Sequence, residues 1–158
     1  MSRSDRRLAV SALAVGVGIA VLSGHGGAAT SGGAPSKAAV RAIAYARQQL
    51  GKPYLWGGTG PSAFDCSGLV MEAYAYAGVS IARTSQAQWA TERHVSSPRP
   101  GDLVFYPGAD GTWTAPGHVA LVVGHGQMIE AYATGYAIRQ VPIRAGMTGY
   151  SQPWGGAR

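Results

Sequence analysis

The chain is predicted to fold as an α+β domain with its helices and strands in separate layers. Three observations point there. Apolar residues at helical spacing occupy the region from Ser36 to Thr91, strand-like runs follow from Leu103 onward, and Gly, Pro and Asp turns punctuate that second region.

Residues 1–29 are expected to be a signal peptide. Arg3, Arg6 and Arg7 precede fifteen mostly apolar residues from Leu8 to Leu22, and small residues including Gly27 and Ala29 follow for cleavage near Ala29. Ser23, Gly24 and His25 interrupt the run short of the roughly 18–20 apolar residues that a membrane span needs. No cysteine stands near the cleavage point for lipid attachment. Leu8-Ala9-Val10 fits twin-arginine export poorly, so the general secretory route is favoured. The mature protein is expected outside the cytoplasmic membrane, secreted or at the cell wall, with no stable membrane insertion. Removing three arginines and Asp5 lowers the net charge from +6 to +4, a modest positive field that suits an anionic wall. The basic residues are scattered rather than clustered, which argues against nucleic acid as a partner. Residues 30–36 are a Gly, Ser and Ala tether. Residues 37–158 suffice for one small domain with a single core, expected to be a monomer.

Ser36 can cap a first helix with Ala39, Ile43, Ala46 and Leu50 on its apolar face, stopped by Gly51 and Pro53. Tyr54 to Pro61 is a glycine-rich loop without the lysine or spacing of a phosphate loop. A second helix begins near Cys66, with Leu69, Val70, Ala73 and Ala77 on one face and Gly78 as its stop. Ser85 to Gln88 fits a capping box, S-x-x-Q, that opens a short third helix through about Thr91. Pro98 and Pro100-Gly101 break the chain before four candidate strands. These are Leu103 to Tyr106, His118 to Val123, Met128 to Ala133 and Ala137 to Val141, in a sheet expected to hold about five.

Cys66 is the only cysteine. At a helix N-terminus a thiol feels the positive end of the macrodipole, which favours the ionised form a nucleophile uses. The opposing reading is a small buried hydrophobe. A cysteine nucleophile needs a base that takes its proton and later protonates the leaving amine, a task suited to histidine. Of four histidines, His25 falls in the signal peptide, His94 follows a polar helix end and His125 sits in a Gly-His-Gly turn. His118 begins the most apolar strand, which leaves its ring at one end of a sheet; a buried structural histidine is its alternative.

The base needs an orienting polar group, and the chain contains no asparagine. Glu72 and Glu92 fit exposed helix faces, Asp110 a Gly-flanked loop, and Asp102 a turn. Glu130 alone lies inside an apolar strand, one hairpin from His118. Strand alternation makes the pairing conditional. A two-residue turn places Glu130 opposite Leu121, facing away from His118, whereas a three-residue loop or a bulge places it opposite Ala120 and diagonal to His118. Otherwise Glu130 is an edge-strand carboxylate facing water.

The segments GKPYLWGGTGP at 51–61, FDCSGLV at 64–70, RTSQAQ at 83–88, PGDLVFY at 100–106 and GHVALVVGHGQMIEA at 117–131 resemble the NlpC-type family of bacterial cell-wall peptidases. The similarity runs from about Val40 to Val141. It implies a papain-like α+β fold and hydrolysis of peptidoglycan stem peptides, commonly between D-glutamate and the following diamino acid. It implies Cys66 as nucleophile and His118 as base. The family's third member is most often histidine, where this chain has Glu130, a substitution also known in similar members. Tyr54 matches a tyrosine whose hydroxyl lies beside the nucleophile, where it can help the Cys66 backbone N–H stabilise an oxyanion. Asp65 and Ser67 flank the substrate groove by the same resemblance, with helix capping as the other reading of Asp65. Trp56 reads equally as groove wall or core. Arg83 reads as structural, and Ala82 stands where the family usually has proline.

The resulting expectation is a cofactor-free thiol endopeptidase acting on peptidoglycan, with no H-E-x-x-H pattern to suggest a metal. Its rivals are an amidase or a transpeptidase on the same fold, an inactive wall-binding module, and a secreted structural domain with an inert thiol.

Overall fold

A computed structural model describes residues 34–153. The signal peptide expected over 1–29 and most of the tether lie outside the described residues. The elements in order are α1 (Lys37–Gln48), α2 (Cys66–Tyr76), α3 (Ser85–Thr91), β1 (Arg93–Val95), β2 (Leu103–Tyr106), β3 (His118–Gly124), β4 (Gln127–Glu130), β5 (Arg139–Pro142) and β6 (Gly149–Gln152). All three helices precede the six strands, and the architecture is α+β. The sheet has six strands rather than about five, in the order β1-β6-β2-β3-β4-β5, with every pairing antiparallel. The additional pair is β1 with β6. Their sequences, Arg-His-Val and Gly-Tyr-Ser-Gln, are too short and polar to show strand periodicity, and pairing with β2 is what anchors β6.

Ser36 caps α1, its hydroxyl accepting from the Ala39 N–H at 3.0 Å. Ala39, Ala42, Ile43 and Ala46 form the buried face, small enough for close packing on α2. Leu50, expected on that face, is instead 41% exposed, because the helix ends at Gln48 and the chain turns at Gly51. Gln49 fills the buried position, its amide donating to the Tyr45 carbonyl. Asp65 caps α2 by accepting from Gly68 N–H at 2.6 Å. In α3 the cap is Thr84, not Ser85, with its hydroxyl accepting from Ala87 N–H. Gln88 is fully buried and donates to the carbonyls of Ser67 and Ala82, tying α3 to α2 rather than closing a capping box.

Alternation along the strands splits the core in two. Leu103, Phe105, Val119, Leu121, Val123 and Ile129 meet the helices through Ile43, Leu69, Val70 and Tyr74. On the opposite face Val104, Tyr106, Ala120, Val122 and Met128 are covered by Val141, Ile143, Met147 and Tyr150. Each fully buried side chain of this size contributes about 1.5–3 kcal/mol, so burial of the helix-facing set drives the layers together.

The β3–β4 hairpin decides where the site residues point. His125 and Gly126 form a two-residue turn with φ of 52° and 67°, both in the left-handed region such a turn needs. The register then shifts between Val122 and Gly124, a bulge that adds one residue to β3. Leu121 pairs with Ile129, so Ala120 and Glu130 come opposite each other in the same register. A bulge, rather than a three-residue loop, thus puts Glu130 on the face of the sheet that carries His118.

Candidate active site

Cys66 is the first residue of α2, half-buried at the seam between the helices and the start of β3. Its sulfur lies 3.9 Å from the carbonyl oxygen of Gly117, the residue before His118. Two backbone contacts hold this helix end in place. The Gly58 carbonyl accepts from Asp65 N–H at 2.9 Å, and it sits so close to Gly68 that a Cβ there would lie 2.1 Å from it. Only glycine at 68 lets the Tyr54–Gly58 loop lie against the first turn of α2.

His118 is 7% exposed, and its Nε2 lies 2.9 Å from Glu130 Oε2. That leaves Nδ1 as the ring nitrogen directed to Cys66, with which the ring also interacts. Burial disfavours the charged imidazole, but the hydrogen bonds and charges of Cys66 and Glu130 outweigh it and raise the His118 pKa. Glu130 is fully buried. Burial alone would push its carboxyl up, yet hydrogen bonds from His118 and Arg144 hold it down at about 2. A buried carboxylate that remains ionised orients the ring and supports its protonated form.

Tyr54 borders the groove beside Cys66. Burial, then the nearby charges of Cys66, Asp65 and Asp110, push its hydroxyl up to about 12, which keeps it a proton donor at neutral pH. The groove extends to both sides of Cys66. One arm reaches Asp65, Ser67 and Arg83, and the other reaches His118, Tyr132 and Thr134; Tyr54, Trp56 and Asp110 border both. Trp56 is 73% exposed, a groove wall rather than a core residue.

Asp65 is engaged on every side. It accepts from Gly68 N–H, Gly57 N–H and both terminal nitrogens of Arg83, the shortest of these ion-pair contacts being 2.6 Å. The Ser67 hydroxyl bridges Arg83 and Asp65. Its carboxylate therefore shapes the groove through Arg83 and the helix cap. Asp110 is the carboxylate on the groove left exposed and without a hydrogen bond or ion pair among the described residues.

One expectation about charge placement fails. Glu92, assigned to an exposed helix face, is the half-buried C-cap of α3 and accepts a hydrogen bond from Ser151 of β6. Burial pushes its carboxyl up to about 7. The reason is β6 itself, which closes over that face. Sequence reasoning also missed Arg139 and Arg144, which contact Glu130 at 2.8–3.1 Å. Counting across the β4–β5 hairpin, where Glu130 pairs with Arg139, is the signal that finds the first of them. His94 and His125 stand apart from this chemistry, one stacked on Trp89 at 3.7 Å and the other exposed in the hairpin turn.

Fold and site together define a papain-like α+β domain in which a cysteine, a histidine and a carboxylate converge where the helices meet the sheet. The chain belongs to the NlpC/P60 family, whose pattern matches residues 51–154. It is 47% identical over 95 residues to the probable endopeptidase p60 of Listeria monocytogenes, covering 59% of this chain and 19% of that protein. It is 41% identical over 143 residues to the peptidoglycan endopeptidase RipB of Mycobacterium tuberculosis, covering 77% of this chain and 57% of the relative. The P60 domain of an antigen from M. avium subspecies paratuberculosis superposes with a TM-score of 0.64 at 35% identity, over 73% of this chain and 93% of that domain. The chain spans about a fifth of the length of the Listeria p60 relatives.

Proposed function

We propose that this chain is an exported cysteine endopeptidase that hydrolyses peptidoglycan stem peptides during cell-wall remodelling, at the bond between D-glutamate and the following diamino acid. The observation that carries the reading is the succession Cys66, His118, Glu130, in which the first two border one open groove and the buried Glu130 lies behind the ring, with His118 Nε2 committed to Glu130 and the opposite ring nitrogen toward the thiol. Relatives named as peptidoglycan endopeptidases support the substrate class. The protein is proposed to act as a monomer, outside the cytoplasmic membrane. Among the described residues no helix is long and apolar enough to cross a membrane.

In this mechanism His118 takes the thiol proton as the Cys66 sulfur bonds to the scissile carbonyl carbon. The Cys66 backbone N–H and the Tyr54 hydroxyl donate to the developing oxyanion. Collapse breaks the C–N bond, and His118 delivers its proton to the departing amine. Water then attacks the thioester with His118 as base, releasing the new carboxylate and restoring the thiol. Glu130 holds the ring orientation throughout. Asp65, Ser67 and Trp56 contribute the shape of the groove, and no cofactor enters any step.

The test is product analysis by mass spectrometry after incubating the purified protein with defined muropeptides, whose stems are still joined to sugar, and an added amine acceptor. Two fragments separated at the D-glutamyl bond are expected, the acyl half ending in a free carboxylate. Acceptor-conjugated product would identify a transpeptidase, release of whole stems from sugar an amidase, and absence of thiol-dependent turnover a binding module.

A further inference from the structure

The Glu130 carboxylate carries more partners than orienting one imidazole requires. Arg139, directly across the β4–β5 pairing, donates from Nε and Nη2 to Oε1 at 3.1 and 3.0 Å. Arg144, in the segment after β5, donates from Nη1 to Oε1 and from Nη2 to Oε2, both at 2.8 Å. Arg144 thus grips both oxygens, including the one that faces His118, whereas Arg139 touches only the far one. Tyrosines anchor the guanidinium groups. Arg144 lies over the rings of Tyr106 and Tyr132 at 4.8 and 5.2 Å, and its backbone N–H donates to the Tyr106 hydroxyl at 3.0 Å. Arg139 lies over Tyr132 and Tyr136 at 4.8 and 4.9 Å.

We propose that Arg144, assisted by Arg139, is a positioning residue of the catalytic array, fixing the plane and the charge of the Glu130 carboxylate for His118. A carboxylate with no exposure to water is stable only if its charge is compensated. His118 compensates it only while protonated, and the peptidase cycle, on which this inference rests, alternates the ring between charged and neutral forms. The two arginines remain charged in both halves of the cycle. A bidentate guanidinium also fixes the carboxylate plane, which a single hydrogen bond leaves free to rotate. The groups facing Glu130 are His118 from β3, Tyr106 from β2, Arg139 from β5, and Tyr132 and Arg144 from the adjoining segments; Cys66 reaches it only through His118.

The test compares the full chain with Arg144→Met, Arg144→Lys, Glu130→Gln and the Glu130→Gln/Arg144→Met double variant. Arg144→Met is expected to lower kcat about 10–100-fold with KM within about twofold, and to move the acid limb of kcat/KM up by about one pH unit, because the catalytic base, relieved of the neighbouring guanidinium's positive charge, holds its proton to higher pH. Arg144→Lys restores the limb through its charge but recovers only part of kcat. Within the Glu130→Gln background, Arg144→Met costs less than about twofold more. Iodoacetamide alkylation of the single cysteine reads the same acid-side shift without any substrate.

A wild-type pH profile in Arg144→Met, an equal loss in both backgrounds, or a raised KM at unchanged kcat would overturn the proposal, the last by marking Arg144 as a substrate contact. If Arg144→Met does not fold, Arg144→Lys decides through a lowered kcat at an unaltered acid limb. Absence of turnover by the wild type would instead sink the peptidase reading, and the alkylation profiles would then decide the arginine role alone.

Discussion

His118 Nε2 and Glu130 Oε2 meet at 2.9 Å because one bulged residue in β3 compensates a two-residue hairpin turn. Without that residue the side chains of β4 would turn to the opposite face, and Glu130 would enter the apolar layer beneath the helices. The same hairpin that builds the most apolar part of the sheet therefore also fixes the polar pair at its end.

Tyr54→Phe tests the oxyanion assignment. The hydroxyl, held above its ordinary range at about 12, donates at any pH where the protein works. Its removal is expected to lower kcat by about 10–100-fold with little change in KM, since the interaction forms mainly in the transition state. Steady-state kinetics on a defined stem peptide check this, and a change confined to KM would reassign Tyr54 to substrate binding.

Gly68→Ala tests how the loop and helix are joined. A methyl group there would meet the Gly58 carbonyl oxygen at 2.1 Å, so the Tyr54–Gly58 loop must move. Urea unfolding should show a loss of about 3 kcal/mol, with turnover falling further than folding alone explains. A variant with wild-type stability and kinetics would mean that this contact does not position the loop.

Stability should depend on pH through groups of opposite sign. Glu130, depressed to about 2, contributes stability that is complete above the unfolded value near 4.5 and is lost as pH falls toward 2. Glu92, raised to about 7, contributes stability that is complete below 4.5 and is lost as pH rises through 7; raised His118 acts in the same direction from the ordinary imidazole value of 6.5 upward. Thermal melts should therefore peak at about pH 4.5 and decline toward pH 7 and above. Glu92→Gln keeps the Ser151 contact without a charge. It is expected to stabilise the protein by about 1–2 kcal/mol at pH 8, discounted for partial exposure, and to change nothing at pH 4. Equal effects at both values would remove Glu92 as the source of the decline.

Much of this arrangement was legible in the chain because strong local patterns coincide with the global fold. Leu103 to Tyr106 is found with its bounds unchanged, since an all-apolar run follows a Pro-Gly break. Cys66 and His118 each begin an element, and element starts are marked by capping and turn residues. What stayed hidden depends on contacts distant in sequence. β1 and β6 exist through mutual pairing and through β2, and their closure over α3 is what buries Glu92. Arg144 reaches Glu130 across fourteen positions, from a segment without regular structure, so no periodicity points to it. Capping was legible in kind but displaced by one residue at Thr84, because adjacent Thr84 and Ser85 both carry a hydroxyl able to cap.

Turnover of a defined stem peptide by Cys66→Ala, beside the wild type and with folding verified by thermal melts, decides whether the thiol is the nucleophile. Nucleophilic attack by the Cys66 sulfur predicts a rate loss of at least about a thousandfold with the fold intact. A Cys66→Ala protein that keeps more than about a tenth of wild-type turnover would contradict the account, because the thiol would then be a packing residue and the bond would be cut by other means.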